Sequence, residues 1–193
     1  MGKIFYLMGK SAAGKDTVYK YLRKACPELK TIILYTTRPM RDEETDGVEY
    51  YFTSEEVLRQ FGNRGKIIEM RTYQTVFGPW SYATVDDGQI DLERENFLAI
   101  GTLESYEKLR NYFGAEHVVP LYIAVDDGIR LERALKRERQ QKEPKYAELC
   151  RRYLADEEDF SEENRIRCGI QKEYQNQILD CCVREIVQDI HKL

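Results

Sequence analysis

Near the N-terminus the chain carries Gly9-Lys10-Ser11-Ala12-Ala13-Gly14-Lys15, the spacing G-x-x-x-x-G-K. Small residues at this spacing let backbone N–H groups wrap closely around a polyphosphate, and the closing lysine reaches the β and γ phosphates. The motif carries chemistry only between a strand and a helix, because a helix N-terminus adds unpaired donors and a dipole that favour negative charge. The apolar run Ile4 to Met8 precedes the motif and a helical pattern from about Lys15 to Lys24 follows it, so that context is present. The expected ATP-binding residues are therefore Gly9, Lys10, Ser11, Ala12, Ala13, Gly14, Lys15, Asp16 and Thr17, with Lys15 also catalytic. Asp16 stands where a hydroxyl residue is expected, and Thr17 is displaced by one. A carboxylate beside a triphosphate repels it unless a cation lies between, so Asp16 either turns toward Mg2+ or its waters or points away. Thr17 can offer its hydroxyl to a phosphate oxygen.

A second cluster runs Tyr35-Thr36-Thr37-Arg38-Pro39-Met40-Arg41-Asp42-Glu43-Glu44-Thr45-Asp46-Gly47-Val48-Glu49-Tyr50-Tyr51-Phe52. It resembles the guanylate kinase family, in which T-T-R-x-x-R, a following glutamate and D-G-x-x-Y-x-F lie just after the second core strand. Arginines three apart with a tyrosine from the next strand offer planar donors and a hydroxyl to one dianionic phosphate. On the residues alone, a solvated loop with Arg38 paired to Glu43 or Glu44 is the alternative. The resemblance implies that Arg38, Arg41 and Tyr50 hold the acceptor's phosphate, that Arg38 takes part in catalysis, and that Glu44 braces the arginines. It also implies that Glu69, ending the run Ile67-Ile68-Glu69, accepts hydrogen bonds from guanine N1–H and the exocyclic amine.

The chain departs from the family at three places. Leu34 replaces a base-facing serine. The family's D-x-D followed by Q-G aligns with Ala99-Ile100-Gly101-Thr102-Leu103-Glu104, which lacks both carboxylates. Phe77-Gly78 replaces the tyrosine and glycine of an N-Y-Y-G turn, leaving Gly78 in the expected substrate site without the neighbouring hydroxyl. Tyr82, Thr102 and Glu104 are the candidates to compensate. The family's lid pattern L-x-x-R-L-x-x-R followed by an arginine pair corresponds to Leu131, Arg133, Arg137, Arg151 and Arg152. By resemblance Arg133 and Arg137 are catalytic lid residues that stabilise charge on the migrating phosphoryl group. Without the resemblance they read as a solvated helix stitched by Glu/Arg pairs.

The elements needed to position these groups can be read from pattern. With 193 residues, 42% of them hydrophobic, the chain suits one buried core. Ile4 to Met8, the helix from about Lys15 to Lys24, and Lys30 to Tyr35 read as a βαβ unit, hence a parallel sheet. Val48 to Phe52, Ile67 to Met70 and Tyr73 to Thr84 are short aromatic and β-branched runs separated by glycines, which reads as a small antiparallel insertion. Phe97 to Ile100 and Val118 to Val125 resume the core around a helix at about Glu104 to Phe113. Arg130 to Phe160 is mostly charged with Pro144 inside, predicting a pair of exposed helices that could move as a lid. Tyr174 to Leu193 has the spacing of an amphipathic closing helix. The expected fold is α/β, a three-layer P-loop NTPase fold with a parallel core sheet (1–35, 85–127, 156–193), an NMP-binding insertion (36–84) and a helical lid (128–155).

Composition excludes several classes. A formal net charge of -4 from 30 basic and 34 acidic residues gives no global attraction to nucleic acid or an anionic membrane. Five cysteines without C-x-x-C spacing suggest neither a disulfide framework nor a zinc site. His117 and His191 read as structural, and one thiol of Cys181-Cys182 should face inward. The 14 tyrosines are scattered without an interleaved basic patch. With no apolar run long enough for a signal peptide or span, the expectation is a soluble, cytoplasmic monomer or homodimer acting on small nucleotides. The leading function is phosphoryl transfer from ATP to GMP with Mg2+. One alternative is a related kinase for another nucleotide or a sugar phosphate; another is a non-catalytic binding module.

Overall fold

The computed structural model describes residues 1–75 and 78–193; Phe77, and the expectation attached to it, lie outside the described residues. Along the chain run β1 (Ile4–Met8), α1 (Lys15–Ala25), β2 (Lys30–Thr31), β3 (Tyr35–Thr36), β4 (Tyr51–Phe52), α2 (Glu55–Asn63), β5 (Ile67–Thr75) and β6 (Gly78–Val85). Then follow β7 (Phe97–Ile100), α3 (Leu103–Phe113), β8 (Val118–Ala124), α4 (Asp127–Arg139), α5 (Tyr146–Asp159), α6 (Glu162–Arg167), β9 (Glu173–Gln175) and α7 (Leu179–Ile190).

The core sheet has the order β2-β7-β1-β8-β9, and its pairs are parallel. Parallel strands need crossovers that cover both faces, which is why β1 is apolar and buried along its whole length. Alternate residues feed opposite layers. Phe5 and Leu7 join Val18 and Leu22 of α1 with Cys182, Ile186 and Ile190 of α7. Ile4, Tyr6 and Met8 join Leu103, Tyr106 and Leu109 of α3. The result is the three-layer arrangement expected, with Cys182 buried and Cys181 exposed.

The second sheet, β4-β3-β6-β5, is mixed: β3 and β4 run parallel, while β3/β6 and β5/β6 are antiparallel. Three segments differ from their sequence reading. Lys30 to Tyr35 is not one strand, since β2 pairs with β7 whereas β3 has crossed into the second sheet. Tyr73 to Thr84 spans both arms of the β5/β6 pair, which apolar content alone cannot divide. Tyr174 belongs to β9, so only Leu179 to Ile190 forms the closing helix. The helix α2 was not anticipated, although Ser54 caps it by accepting from Val57 N–H, with Glu55 and Glu56 in its first turn.

The charged segment forms α4 and α5, with Pro144 in the break between them. Among the described residues, no helix is long and apolar enough to cross a membrane.

Because Leu22 is wholly buried between α1 and the sheet, Leu22→Ala should lower unfolding free energy by about 2–5 kcal/mol, against about 1 kcal/mol for the cap variant Ser54→Ala. Urea denaturation of both variants measures the difference, and equal losses would contradict this placement of the core.

Candidate active site

The phosphate-loop motif leaves β1 and enters α1 under close constraint. A Cβ on Gly9 would lie 2.6 Å from the Ile123 carbonyl oxygen of β8, so a side chain there would force the loop off the sheet. Ala12 and Gly14 adopt positive φ, 64° and 89°, and Gly14 caps α1. Thr17 and Val18 N–H donate back to Gly14 O at 3.1 and 3.0 Å.

Buried Asn176, just after β9, fastens this turn from outside. Its Nδ2 donates to Ala13 O at 2.8 Å, its N–H donates to Ala124 O at 2.8 Å, and its carbonyl accepts from Arg133 Nη2 at 3.0 Å. Nothing in sequence marks Asn176, because its partners are far along the chain and two of them are backbone groups. On the other side, Ser11 N–H donates to Asp156 Oδ2 at 2.8 Å and Lys10 Nζ to Glu157 Oε2 at 2.6 Å. Arg130, only 1% exposed, bonds Asp127, Asp156 and Glu157 and lies 4.0 Å over the Tyr153 ring. The helix pair α4/α5 is thereby tied to the loop by ion pairs.

Two cavities meet at this loop. One, about 380 Å3, is walled by Ser11, Ala12 and Gly14 to Thr17 and by Arg133, Arg137 and Arg152. The structure thus brings the arginines of α4 to Lys15, and adds Arg152 of α5 to the same cavity. So many cations around one small opening suit a polyanion. The other, about 500 Å3, lies between the core and the second sheet, lined by Leu34, Tyr50, Arg71, Tyr73, Tyr82 and Thr102 among others. Lys15 and Asp16 line both cavities. Asp16 and Thr17 are exposed on the first turn of α1.

The arginine cluster is assembled around Glu44. Arg38 is buried and paired bidentately, Nη1 to Oε2 at 2.8 Å and Nη2 to Oε1 at 2.7 Å, while Glu44 also accepts from Arg41 N–H at 2.9 Å. The Arg38 guanidinium lies 5.2 Å from the centre of the Tyr50 ring. Of these residues Tyr50 lines the larger cavity, and the Arg41 side chain is exposed. The Arg38 guanidinium, together with the Arg41 amide, holds the Glu44 carboxyl down at about 2.

Other expected residues fall elsewhere. Glu69 is buried, accepting from Arg71 Nε at 3.0 Å and Thr84 Oγ1 at 3.0 Å, and it is Arg71 that lines the cavity. Gly78 opens β6 at φ 100°, where Thr75 Oγ1 donates to its carbonyl, away from the cavity lining. Of the candidates to replace the missing polar groups, Tyr82 and Thr102 line the cavity, whereas Glu104 pairs with Lys108 at 2.6 Å on the outside of α3.

A parallel sheet whose first strand runs through a glycine-rich turn into a helix defines a P-loop α/β protein, here with a second sheet on one side of the loop and a helix pair on the other. A family model described as guanylate kinase matches residues 1–164, and the chain belongs to the guanylate kinase family. It is 42% identical over 76 residues to a guanylate kinase of Tropheryma whipplei, covering 39% of this chain and 38% of that protein. It is 32% identical over 114 residues to one from Helicobacter hepaticus, covering 58% and 56%, and 32% over 117 residues to one from Thermosynechococcus vestitus, covering 58% and 61%. The matched stretches thus span between 38% and 61% of these relatives. The fold is similar to that of the guanylate kinase from Anaplasma phagocytophilum, with a TM-score of 0.65 at 19% identity over 99% of this chain and 85% of that one.

Because the folded protein holds Glu44 below its ordinary value of 4.5, the unfolded chain binds more protons in acid. The carboxylate's contribution is complete above about pH 4.5 and drains away as pH falls toward 2. Glu44→Gln should therefore show a shallower loss of stability across that window than the wild type. Parallel acid-denaturation profiles would contradict the pairing.

Proposed function

We propose that the chain catalyses transfer of the γ-phosphoryl group of ATP to a nucleoside monophosphate, with GMP as the leading acceptor. The observation that carries this reading is the meeting of a cation-rich cavity and a second, aromatic-lined cavity at Lys15 and Asp16. ATP would lie along the loop, with its γ-phosphate at the junction. The acceptor would enter from the second sheet with its phosphate toward Tyr50 and the Arg38–Glu44–Arg41 cluster. An acceptor phosphate oxygen forms a bond to the γ-phosphorus as the bond from that phosphorus to the bridging oxygen of ADP breaks.

Little covalent chemistry is asked of the protein in such a transfer; its work is alignment and charge stabilisation. Lys15 neutralises charge on the bridging region, while Arg133, Arg137 and Arg152 face the equatorial oxygens and exclude water when α4 and α5 close. The ion pairs from Lys10 to Glu157 and from Arg130 to Asp156 keep that helix pair in register with the loop. Asp16, where both cavities meet, and Thr17, in the loop cavity beside it, offer hard oxygen donors, a donor set that fits Mg2+. Bound there, the ion would supply charge neutralisation between the two phosphates. We place this work in the cytoplasm, a setting that suits the unpaired thiols at positions 26, 150, 168, 181 and 182.

Coupled ADP release with ATP, Mg2+ and GMP, dGMP, AMP, CMP, UMP, dTMP or ribose phosphates tests the proposal directly. Acceptor-dependent turnover should fall at least about 10²-fold in Lys15→Ala. Equal rates in the variant, or no acceptor-dependent ADP release, would defeat it.

A further inference from the structure

The larger cavity differs from a carboxylate-lined base pocket in presenting a guanidinium where the carboxylate was expected. Arg71 of β5 lines it, while Glu69, two residues earlier, lies buried beneath. Glu69 is fully engaged: one oxygen accepts from Arg71 Nε at 3.0 Å, the other from Thr84 Oγ1 at 3.0 Å and Arg71 Nη2 at 3.3 Å. The pair uses one side of the planar guanidinium. A third contact, Nη1 to Thr102 Oγ1 at 3.4 Å, leans the group toward the start of α3. A guanidinium has five N–H bonds in a fixed fork. On the edge formed by Nη1 and Nη2 each nitrogen makes one of these contacts, so each keeps one N–H with no hydrogen-bond partner among the described residues. Burial against Glu69 and Thr102 fixes where this edge points, so it meets a ligand without first having to be ordered.

The rest of the lining gives this edge a flat companion. Tyr73 and Tyr82 meet edge to face with ring centres 5.9 Å apart, and Tyr82 and Tyr50 likewise at 5.7 Å, leaving aromatic faces and edges against which a planar heterocycle can pack. For a guanine amino group the lining offers neutral hydroxyls, among them Thr31, Tyr73, Tyr82 and Thr102, in place of the engaged Glu69 carboxylate. Leu34, Ile100 and Gly101 present no side-chain acceptor. Two carboxylates do line the cavity: Asp16 at its loop end, and Glu49, which accepts from Thr45 N–H at 2.8 Å.

We infer that Arg71, not Glu69, meets the acceptor's base, offering its paired N–H groups to the adjacent O6 and N7 of a 6-oxopurine. The pocket then reads the 6-oxo group and leaves position 2 unread. It admits hypoxanthine nucleotide alongside guanine nucleotide and rejects adenine, whose 6-amino group would turn a donor toward a donor. This inference rests on the proposed phosphotransferase reading and narrows its acceptor class.

Initial rates with the full chain, ATP and Mg2+ against GMP, IMP and AMP test it. Wild-type kcat/KM for IMP should lie within about tenfold of that for GMP, with AMP lower by at least about 10²-fold. Arg71→Met should raise KM for GMP and IMP together by about 10- to 100-fold, with a smaller change in kcat, and narrow their advantage over AMP. Because that variant leaves the Glu69 carboxylate buried without its cation, Arg71→Lys is measured beside it; it keeps the charge but loses the planar fork and should lose the same discrimination. The wild-type IMP to GMP ratio needs no variant at all. An IMP efficiency about 10³-fold below GMP would overturn the inference by showing that position 2 is read, as would an Arg71→Lys protein with unchanged base ratios. No turnover with any of the three nucleotides would instead overturn the phosphotransferase reading, and this inference with it.

Discussion

The loop between β1 and α1 keeps its shape because other parts of the chain grip it from outside. Left-handed turns at Ala12 and Gly14 are unfavourable for most sequences, and an isolated loop would not hold them. Here Asn176 pins Ala13 from behind, the carbonyl of Ile123 leaves room only for a glycine at position 9, and Asp156 holds the Ser11 amide from the side of α5. Two of these contacts, the Asn176 and Asp156 bonds, join residues 163 and 145 apart in sequence. The order of the core sheet follows from the same requirement, because β8 and β9 must flank the β1 side that delivers the loop.

Charge then determines how the remaining elements are arranged. Arginines are costly to bury alone, and each buried one here has carboxylate partners: Glu44 for Arg38, and Asp156 with Glu157 for Arg130. Their value lies in orientation, since a paired guanidinium is a rigid object. Arg38 is held against Tyr50, and Arg130 couples α4 to α5 and to the loop. Arg71 is treated in the same way by Glu69, which puts a guanidinium in the lining of the second cavity where a carboxylate was expected. By contrast, Arg133 and Arg137 line the loop cavity without a carboxylate partner among the described residues, while Arg152, beside them, pairs with Glu148 at 2.8 Å.

The parts of this arrangement legible in the sequence are those specified locally. The loop motif, the apolar core strands and the Arg38 to Tyr50 signature depend on residues close in the chain, and so does the break at Pro144. The sheet change between Thr31 and Tyr35 was not legible, because both strands are short and a continuous apolar run looks the same in one sheet or two. Asn176 was hidden since its role depends on distant backbone groups. Glu69 was identified as a base-facing residue by resemblance alone, and only the proximity of Arg71 and Thr84 shows its oxygens already taken. Alternation along β5 does not reveal this, since Glu69 and Arg71 share a face of the strand and either could have been uppermost.

The central claim is that two phosphate-bearing ligands meet at Lys15 and Asp16. Inhibition by a single molecule that joins adenosine and guanosine through a five-phosphate bridge measures this most directly. If the two cavities are one continuous reaction cleft, the compound will compete with ATP and with GMP alike, and Lys15→Ala will weaken it. Competition with only one substrate, or none, would mean that the cavities do not form one cleft in the folded protein.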